Sequence, residues 1–491
     1  MPLFNRPLRG AFLTSPKRPL RGAFFIAVSV CSWQGYAIAA DAAPKANVEQ
    51  LRVHGVADQL IGFLNQAIGW TGSTPDRPPL ASIRPQIRAA VLAHPEVRLS
   101  SEQKLTAGFA TREAFAGYLP QVSANVDTGQ RRNDPVNKPW IVLPAHQDNS
   151  KSLGITARQM LYDFGAVSGR VDAQRARESA ADAKSEAKRS ELVLRAVSAW
   201  HEVFRTRQLL KLAEVNRLSR QQILSFIEER EQLGGSSRSD VLRAKARLSD
   251  AQAALVAAQS RLKTTEASYR ETFGSAPGAG LVLPEAVALD LNRFDDAEAL
   301  ILRNASYAEA LAQSLAAGHD AKSAAASMLP SLNLEASATR RDIGGGAQPG
   351  VDRTFGLVVR QNFYTGGAET ARKNQAEQRA VESRLELDNL RRQLERAIGQ
   401  TLADARYTDA LITARRDAVQ VAASAFEAVR EQFAFRRGTL LDLLRAQEEL
   451  YIAGHDLIDG VVDHALARHR LLHLAMELTP LFDIGAAARK E

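Results

Sequence analysis

No proline occurs between Pro144 and Pro277, nor between Pro349 and Pro480. Each gap is about 130 residues free of the strongest helix breaker and rich in Ala, Leu, Arg, Glu and Gln. A short turn divides each run, Gly234-Gly235-Ser236-Ser237 in the first and Arg436-Arg437-Gly438-Thr439 in the second. A helix of about 70 residues is expected before each turn, near 166–233 and 367–435, on the order of 100 Å long at the usual rise per residue. Helices in globular proteins average three or four turns, so such helices need a partner along their whole length.

The segments after the turns show that partner. Val241, Leu248, Leu255, Leu262 and Tyr269 are spaced seven apart, as are Leu443, Leu450, Leu457, His464, Leu471 and Leu478. Ala244, Ala251 and Ala258 run beside the first row, and Ala446, Ala453, Gly460 and Ala467 beside the second. Large residues on one row and small ones on the other describe a coiled-coil seam with close helix approach.

These matching runs belong to a duplicated chain. Leu119-Pro120-Gln121-Val122 corresponds to Leu329-Pro330-Ser331-Leu332, and Tyr162-Asp163-Phe164-Gly165 to Tyr364-Thr365-Gly366-Gly367. Asp240-Val241-Leu242-Arg243-Ala244 corresponds to Asp442-Leu443-Leu444-Arg445-Ala446. Three landmarks in one order at nearly constant offset define two structural repeats, 81–276 and 296–480, joined by a linker at 277–295. In each repeat a shorter helix, about Ile83 to Tyr118 or Asp296 to Met328, ends at Leu-Pro. Two strands with a turn-rich loop follow, about 121–130 and 153–161, then 331–340 and 354–363. Val122, Ala124 and Val126, like Leu332, Leu334, Ala336 and Ala338, alternate with polar residues. That pattern fits equally a strand between lipid and water and one half-buried in a soluble sandwich.

The N-terminus reads as an export signal over 1–40. A basic stretch precedes the apolar run Ala23 to Val30 and the small residues Ala37 to Ala40. The formal charge is +8, and five of those positive charges, Arg6, Arg9, Lys17, Arg18 and Arg21, precede the first acid, Asp41. The remainder is nearly neutral, which argues against a nucleic-acid partner. Cys31 is the only cysteine, and Val30 before it does not suit a lipoprotein anchor. Residues 41–80 form an extension in which Leu51, Val56, Leu60, Leu64 and Ile68 keep helical spacing. No later stretch of about 18 apolar residues exists, so a membrane role would need β-strands.

Four strands cannot close a barrel, because membrane barrels have at least eight, and lipid does not tolerate open strand edges. Several chains would therefore share one barrel. Two would leave little lumen, whereas three would give twelve strands continued by the helical hairpins. The Leu-Pro landmarks, Tyr364-Thr365-Gly366-Gly367 and Gly438-Thr439-Leu440-Leu441-Asp442-Leu443-Leu444 resemble, as an ordered set, the TolC family of outer-membrane factors. That resemblance covers nearly the whole chain after the signal. It implies a mainly α fold with a membrane β-barrel, a homotrimer with a twelve-strand barrel, and a helical tunnel in the periplasm. It also implies an inner-membrane transporter of ABC type with a periplasmic membrane-fusion adaptor as partners. The tip Leu440 to Leu444 most resembles the branch serving type I protein secretion, with multidrug efflux as the alternative. A soluble periplasmic coiled-coil adaptor is the rival of another class, but it would not need two equivalent hairpins with paired strands.

No catalytic constellation, phosphate loop or cofactor motif is present, and no metal is expected. His469 and His473, one helical turn apart, have a spacing that can bind zinc but lack the accompanying motif. The candidate functional residues lie at the turns: Phe433, Arg436, Arg437, Asp442 and Arg445, with Gly234, Gly235, Asp240 and Arg243 as the first-repeat equivalents. Ser237-x-x-Asp240 and Thr439-x-x-Asp442 fit capping boxes, which alone would explain an acid there. In a trimer, three Asp442 carboxylates would instead ring the narrow end, with Arg436, Arg437 and Arg445 linking neighbouring tips. Phe433 and Phe435 are candidates for tunnel plugs or for packing between hairpins. The resemblance would place a second aspartate where Arg445 stands, so a doubled acidic ring is not expected.

Overall fold

The computed structural model describes residues 62–63, 78–133, 140, 146–341, 343 and 350–484. The export signal, most of the amphipathic extension, parts of both inter-strand loops and the end of the C-terminal tail expected at 481–491 lie outside the described residues.

The elements follow the duplication. In the first repeat, α1 (Arg84–Ala93) and α2 (Pro95–Phe115) lead into β1 (Gln121–Asn133) and β2 (His146–Tyr162), then α3 (Ala166–Gln232) and α4 (Arg238–Phe273). In the second, α5 (Ala297–Arg303) and α6 (Ala305–Ala326) lead into β3 (Ser331–Arg341) and β4 (Gly350–Arg360), then α7 (Ala368–Ala434), α8 (Leu440–Leu474) and the short α9 (Leu478–Leu481). The single entry helix expected in each repeat is broken. Pro95 forces His94 into an extended conformation, and the His94 ring accepts a hydrogen bond from Glu96 N–H. Asn304 breaks the second and caps α6 through Ser306 and Tyr307 N–H. The strands are also longer than alternation predicts, because β2 begins at His146 and β4 at Gly350.

Strand and helix meet at a junction with two successive positive-φ residues. Phe164 and Gly165 sit at 55° and 96°, and Gly366 and Gly367 at 65° and 85°. Asp163 secures the first junction by accepting from Gly165 N–H and Val167 N–H at the start of α3.

The four strands form one antiparallel sheet in the order β1-β2-β3-β4. The helices repeat that order below it. α2, α3, α6 and α7 each continue one strand, and α3 contacts α2 on one side and α6 on the other, while α6 contacts α7. Further down, α4 packs on α3 where α2 ended, and α8 lies between α3 and α7 where α6 ended. The protein is therefore a wall of four ribbons with strands at one end and two helical turns at the other. α8 has neighbours on two sides and buries Leu443, Leu450, Leu457 and Leu471 together with Ile458, Val461 and Val462. α4, packed chiefly on one side, buries only its seam, including Val241, Ala244, Ala251, Leu255 and Tyr269. At Gly460 an added Cβ would meet the Arg415 guanidinium at 2.7 Å, and Arg415 donates to the Asp456 carbonyl across the α7–α8 seam.

The inter-repeat linker is strapped across the middle of the wall. Trp200 Nε1 donates to the Val282 carbonyl, Arg207 to Gly278 and Arg468 to Val287. Phe294, Phe482, Ile83 and Ile87 close the core there.

Candidate functional site

The two helical turns are the same device built twice. Gly235 N–H donates to the Arg230 carbonyl at 2.7 Å, and Arg437 N–H to the Gln432 carbonyl at 2.8 Å, 202 residues later. The bond spans five residues and reverses the chain through a left-handed residue. Gly234 fills that position in the first turn with φ 73°, but Arg436 fills it in the second with φ 59°. A side chain there costs about 1–2 kcal/mol relative to glycine. Ser237 and Asp240 form a capping box with reciprocal bonds of 3.2 Å, and Thr439 and Asp442 form the second, with 3.4 and 3.2 Å bonds. Asp442 is thus a helix cap in this chain, yet it is also exposed.

The turns differ in what surrounds the caps. In the first, Arg243 lies 3.7 Å from Asp240. In the second, Arg445 and Asp442 do not pair, and among the described residues Arg436, Arg437 and Arg445 make no ion pair although all three are exposed. Phe433 is buried rather than free. It meets Phe226 edge-on at 6.1 Å, and the Arg230 guanidinium lies 5.2 Å from its ring centre, so it joins the two hairpins. Burial and the nearby Arg436 charge both hold Arg230 below the usual arginine range. Phe435 stays 65% exposed at the tip.

Three groups lie behind the tips, and of their side chains the sequence singles out only His469. Arg220, 2% exposed, crosses from α3 to α8 and donates to the Leu444 carbonyl at 3.1 Å and to Glu448 at 2.6 Å. Beside it Gln447 donates to Ser219. Higher up, the fully buried His201 and His469 face each other with ring centres 5.4 Å apart. Each bonds through Nδ1 to a backbone carbonyl one turn back, Val197 or Ala465, and each Nε2 is buried without a partner. His473 contacts Ser190 instead, so the His469–His473 pair does not converge on one site.

One cluster brings possible metal-ligand atoms together. Those of His94, Glu96 and Glu271 lie within 4.8 Å of one another. The His94 Nδ1 is already the acceptor of the α2 cap, and Glu96 is bonded to Arg195 at 2.7 Å, which lowers its pKa. The arrangement works as a helix cap with an ion pair.

The wall itself has the more telling chemistry. β1 and β4 leave unpaired edges, and exposed apolar side chains follow the outer helices beneath them, Leu99, Leu105 and Phe109 on α2, Leu385 and Val421 on α7. The cross-strand register places Val122, Ala124 and Val126 of β1 beside Ala157, Ile155 and Leu153 of β2. It continues through Ala336 and Ala338 of β3 to Phe355, Leu357 and Val359 of β4, where Leu334 faces Leu357 and Leu332 faces Val359. This apolar face is exposed, with Val126 at 75% and Phe355 at 77%. The opposite face is polar and internally paired, as where Glu335 bridges Arg158 at 2.8 Å and Arg360 at 2.7 Å. An uncovered apolar face on one side and a satisfied polar face on the other is the division expected between lipid and a water-filled lumen.

Comparison with known proteins gives the family. The family model described as outer membrane efflux protein matches residues 90–275 and 297–474. The outer membrane efflux protein BepC of Brucella suis biovar 1 (strain 1330) is 29% identical over 371 residues, covering 74% of this chain and 79% of BepC. The proteases secretion protein PrtF of Dickeya chrysanthemi is 26% identical over 316 residues, covering 62% and 68%. The solved structure of the outer membrane protein VceC from Vibrio cholerae superposes with a TM-score of 0.70 at 19% identity, covering 81% of this chain and 96% of that one. With both repeats matched and the same ribbon wall in a solved relative, the chain belongs to the outer membrane efflux protein family and resides in the outer membrane.

Proposed function

We propose that three copies of this chain close a twelve-strand barrel and a continuous helical tunnel that conducts cargo out of the cell. The observation that carries this reading is the matched order of strands and helices, which leaves the wall open along both sides. Its two sides differ, so copies join side to side and must close into a ring. Lipid excludes open strand edges, and three copies give the smallest barrel with a usable lumen. An inner-membrane ABC transporter and its periplasmic adaptor would deliver the cargo to the helical tips.

For cargo, the tip Leu440 to Leu444 and the likeness to PrtF, a protease secretion protein, favour protein export by type I secretion. The likeness to BepC, named for efflux, supports the second reading, expulsion of small toxic compounds. Deleting the gene and measuring both outputs in one strain separates them. The first reading expects a secreted protein to disappear from the medium while drug tolerance stays within about twofold. Normal secretion with heightened drug sensitivity would reverse the assignment.

Under the same reading the second tips form the gate. Arg436, Arg437 and Arg445, unpaired within one chain, contact acids on adjacent copies, and three Asp442 carboxylates surround the entrance. Exposed ion pairs contribute about 0–1 kcal/mol each, so three symmetric copies hold the closed state by up to about 3 kcal/mol. Arg445→Ser is expected to raise the open population about tenfold, read as single-channel conductance in planar bilayers. Asp442→Asn removes the charge but keeps a side-chain oxygen that can accept from Thr439 N–H in the capping box, and is expected to weaken block by divalent cations added on the tip side. Unchanged block would leave Asp442 as a cap alone.

A further inference from the structure

Charges on the two faces of the sheet are managed differently. On the polar face Arg158 and Arg360 share Glu335, and Arg341 pairs with Asp352 at 3.0 Å. On the apolar face the register gathers three cations and no described acid. Arg340 stands opposite Leu153 on one side and Val351 on the other, Lys151 follows two residues from Leu153, and Arg353 two residues from Val351. All three side chains are exposed, and among the described residues none makes an ion pair or side-chain hydrogen bond. They form one patch at the end of the apolar field that lies farthest from the helices.

The depth of that patch follows from strand geometry. Arg340 is eight residues beyond Leu332, the first apolar residue of β3 on this face. Eight residues span about 26 Å of strand, or about 20 Å of height at the tilt usual for membrane barrels. The apolar band of such barrels is about 25 Å tall, so Arg340 lies near its outer boundary, with Lys151 two residues farther out and Arg353 two residues nearer the helices, and side chains of this length extend from there to where lipid headgroups begin. An unpaired cation on a lipid-facing strand is costly unless an anion meets it there.

We propose that Lys151, Arg340 and Arg353 bind the phosphate groups of a phosphorylated lipid of the outer leaflet. Leu153, Ile155 and Phe355 directly below receive its acyl chains. The site rests on the reading of this sheet as part of a closed barrel with its apolar face outward. Three such sites per trimer tie the barrel to its annular lipid and fix its height in the membrane. Charge complementarity selects the partner. Its described side chains, Lys151, Arg340 and Arg353, offer only donors, bidentate in the two arginines, and a phosphate offers acceptors.

The test is native mass spectrometry of the full chain purified in mild detergent and titrated with bisphosphorylated lipid A or with the same lipid after removal of its phosphates. Each basic residue near an anionic headgroup contributes about fivefold, so the triple variant K151Q/R340Q/R353Q is expected to bind the phosphorylated lipid about a hundredfold more weakly. Removing the phosphates should cause a similar loss in the unmodified protein, and R340K/R353K should stay within several-fold of it. All the substituted side chains are exposed, and the trimer mass in the same spectra reports whether the variants assemble. An intact trimer that binds both lipids equally, or a triple variant that binds as the parent does, would overturn the site while leaving the barrel standing. Displacement of the lipid by millimolar inorganic phosphate would assign the patch to free anions and overturn the lipid assignment. A monomeric mass would remove the barrel and the site together.

Discussion

Acidification from pH 7 to pH 5 is expected to destabilise this protein by about 4 kcal/mol per chain through His201 and His469 alone. Burial is the main cause that holds His201 down to about 3, with the facing His469 second, and burial holds His469 down to about 4. Both imidazoles are neutral in the folded chain, whereas an unfolded histidine titrates near 6.5. Above that value neither state takes up a proton, and the pair costs nothing. Below it the unfolded chain binds protons that the fold refuses, so stability falls continuously toward the folded values. Each group contributes up to about 1.4 kcal/mol per pH unit. The measurement is the thermal midpoint of the parent and of His201→Leu/His469→Leu between pH 7 and 5. The parent should lose about 5 °C more than the variant over that range. Equal slopes would show that the pair does not titrate on unfolding.

The second large effect concerns Arg220. Glu448 is half-exposed, but its partner is enclosed between α3 and α8, where burial already depresses the arginine below its ordinary range. Glu448→Ala leaves a buried guanidinium with only the Leu444 carbonyl, a change expected to cost about 3–5 kcal/mol. Arg220→Met in the Glu448→Ala background removes the stranded charge while nearly keeping the volume. It should recover most of that loss, because well-packed apolar replacements of buried ion pairs are often neutral or stabilising. Denaturant midpoints of the single and double variants give the comparison. A Glu448→Ala cost below about 1 kcal/mol would mean that water reaches the guanidinium.

How much of this was legible in the sequence depended on range. The seven-residue rows, the two proline-free runs and the Leu-Pro landmarks follow from local periodicity and backbone restriction, and the helices, the strands and the hairpin turns formed where those signals lie. The tip caps were readable too, because a capping box is written within four residues. The breaks at His94 and Asn304 were less visible, since in each case a cap inside an otherwise helical pattern had to outweigh propensity. Strand ends at His146 and Gly350 were missed because pairing extends the ladder through residues with no alternation of their own.

The contacts across repeats left almost no local signal. His201 and His469 are 268 positions apart, and Arg220 reads as a solvated helix charge until α8 is laid against α3. The exception is Arg436. Aligned on Gly234 by the 202-residue offset, it announces a side chain in a left-handed position at the very turn where a gate is expected. Phe433 illustrates the opposite case. The sequence leaves it as a tunnel plug or as packing between hairpins, and only the long-range contacts with Phe226 and Arg230 place it between the two hairpins.

Closure of the ribbon wall by copies of the same chain is what the proposed duct requires above all. Its most direct test is the intact mass of the complex extracted from outer membranes in mild detergent, with the fold monitored by circular dichroism. The predicted result is three times the mass of the mature chain, with helical and strand signals both present. A folded monomer that keeps its strand signal in detergent would contradict it, because the edges of β1 and β4 would then be satisfied without a second copy.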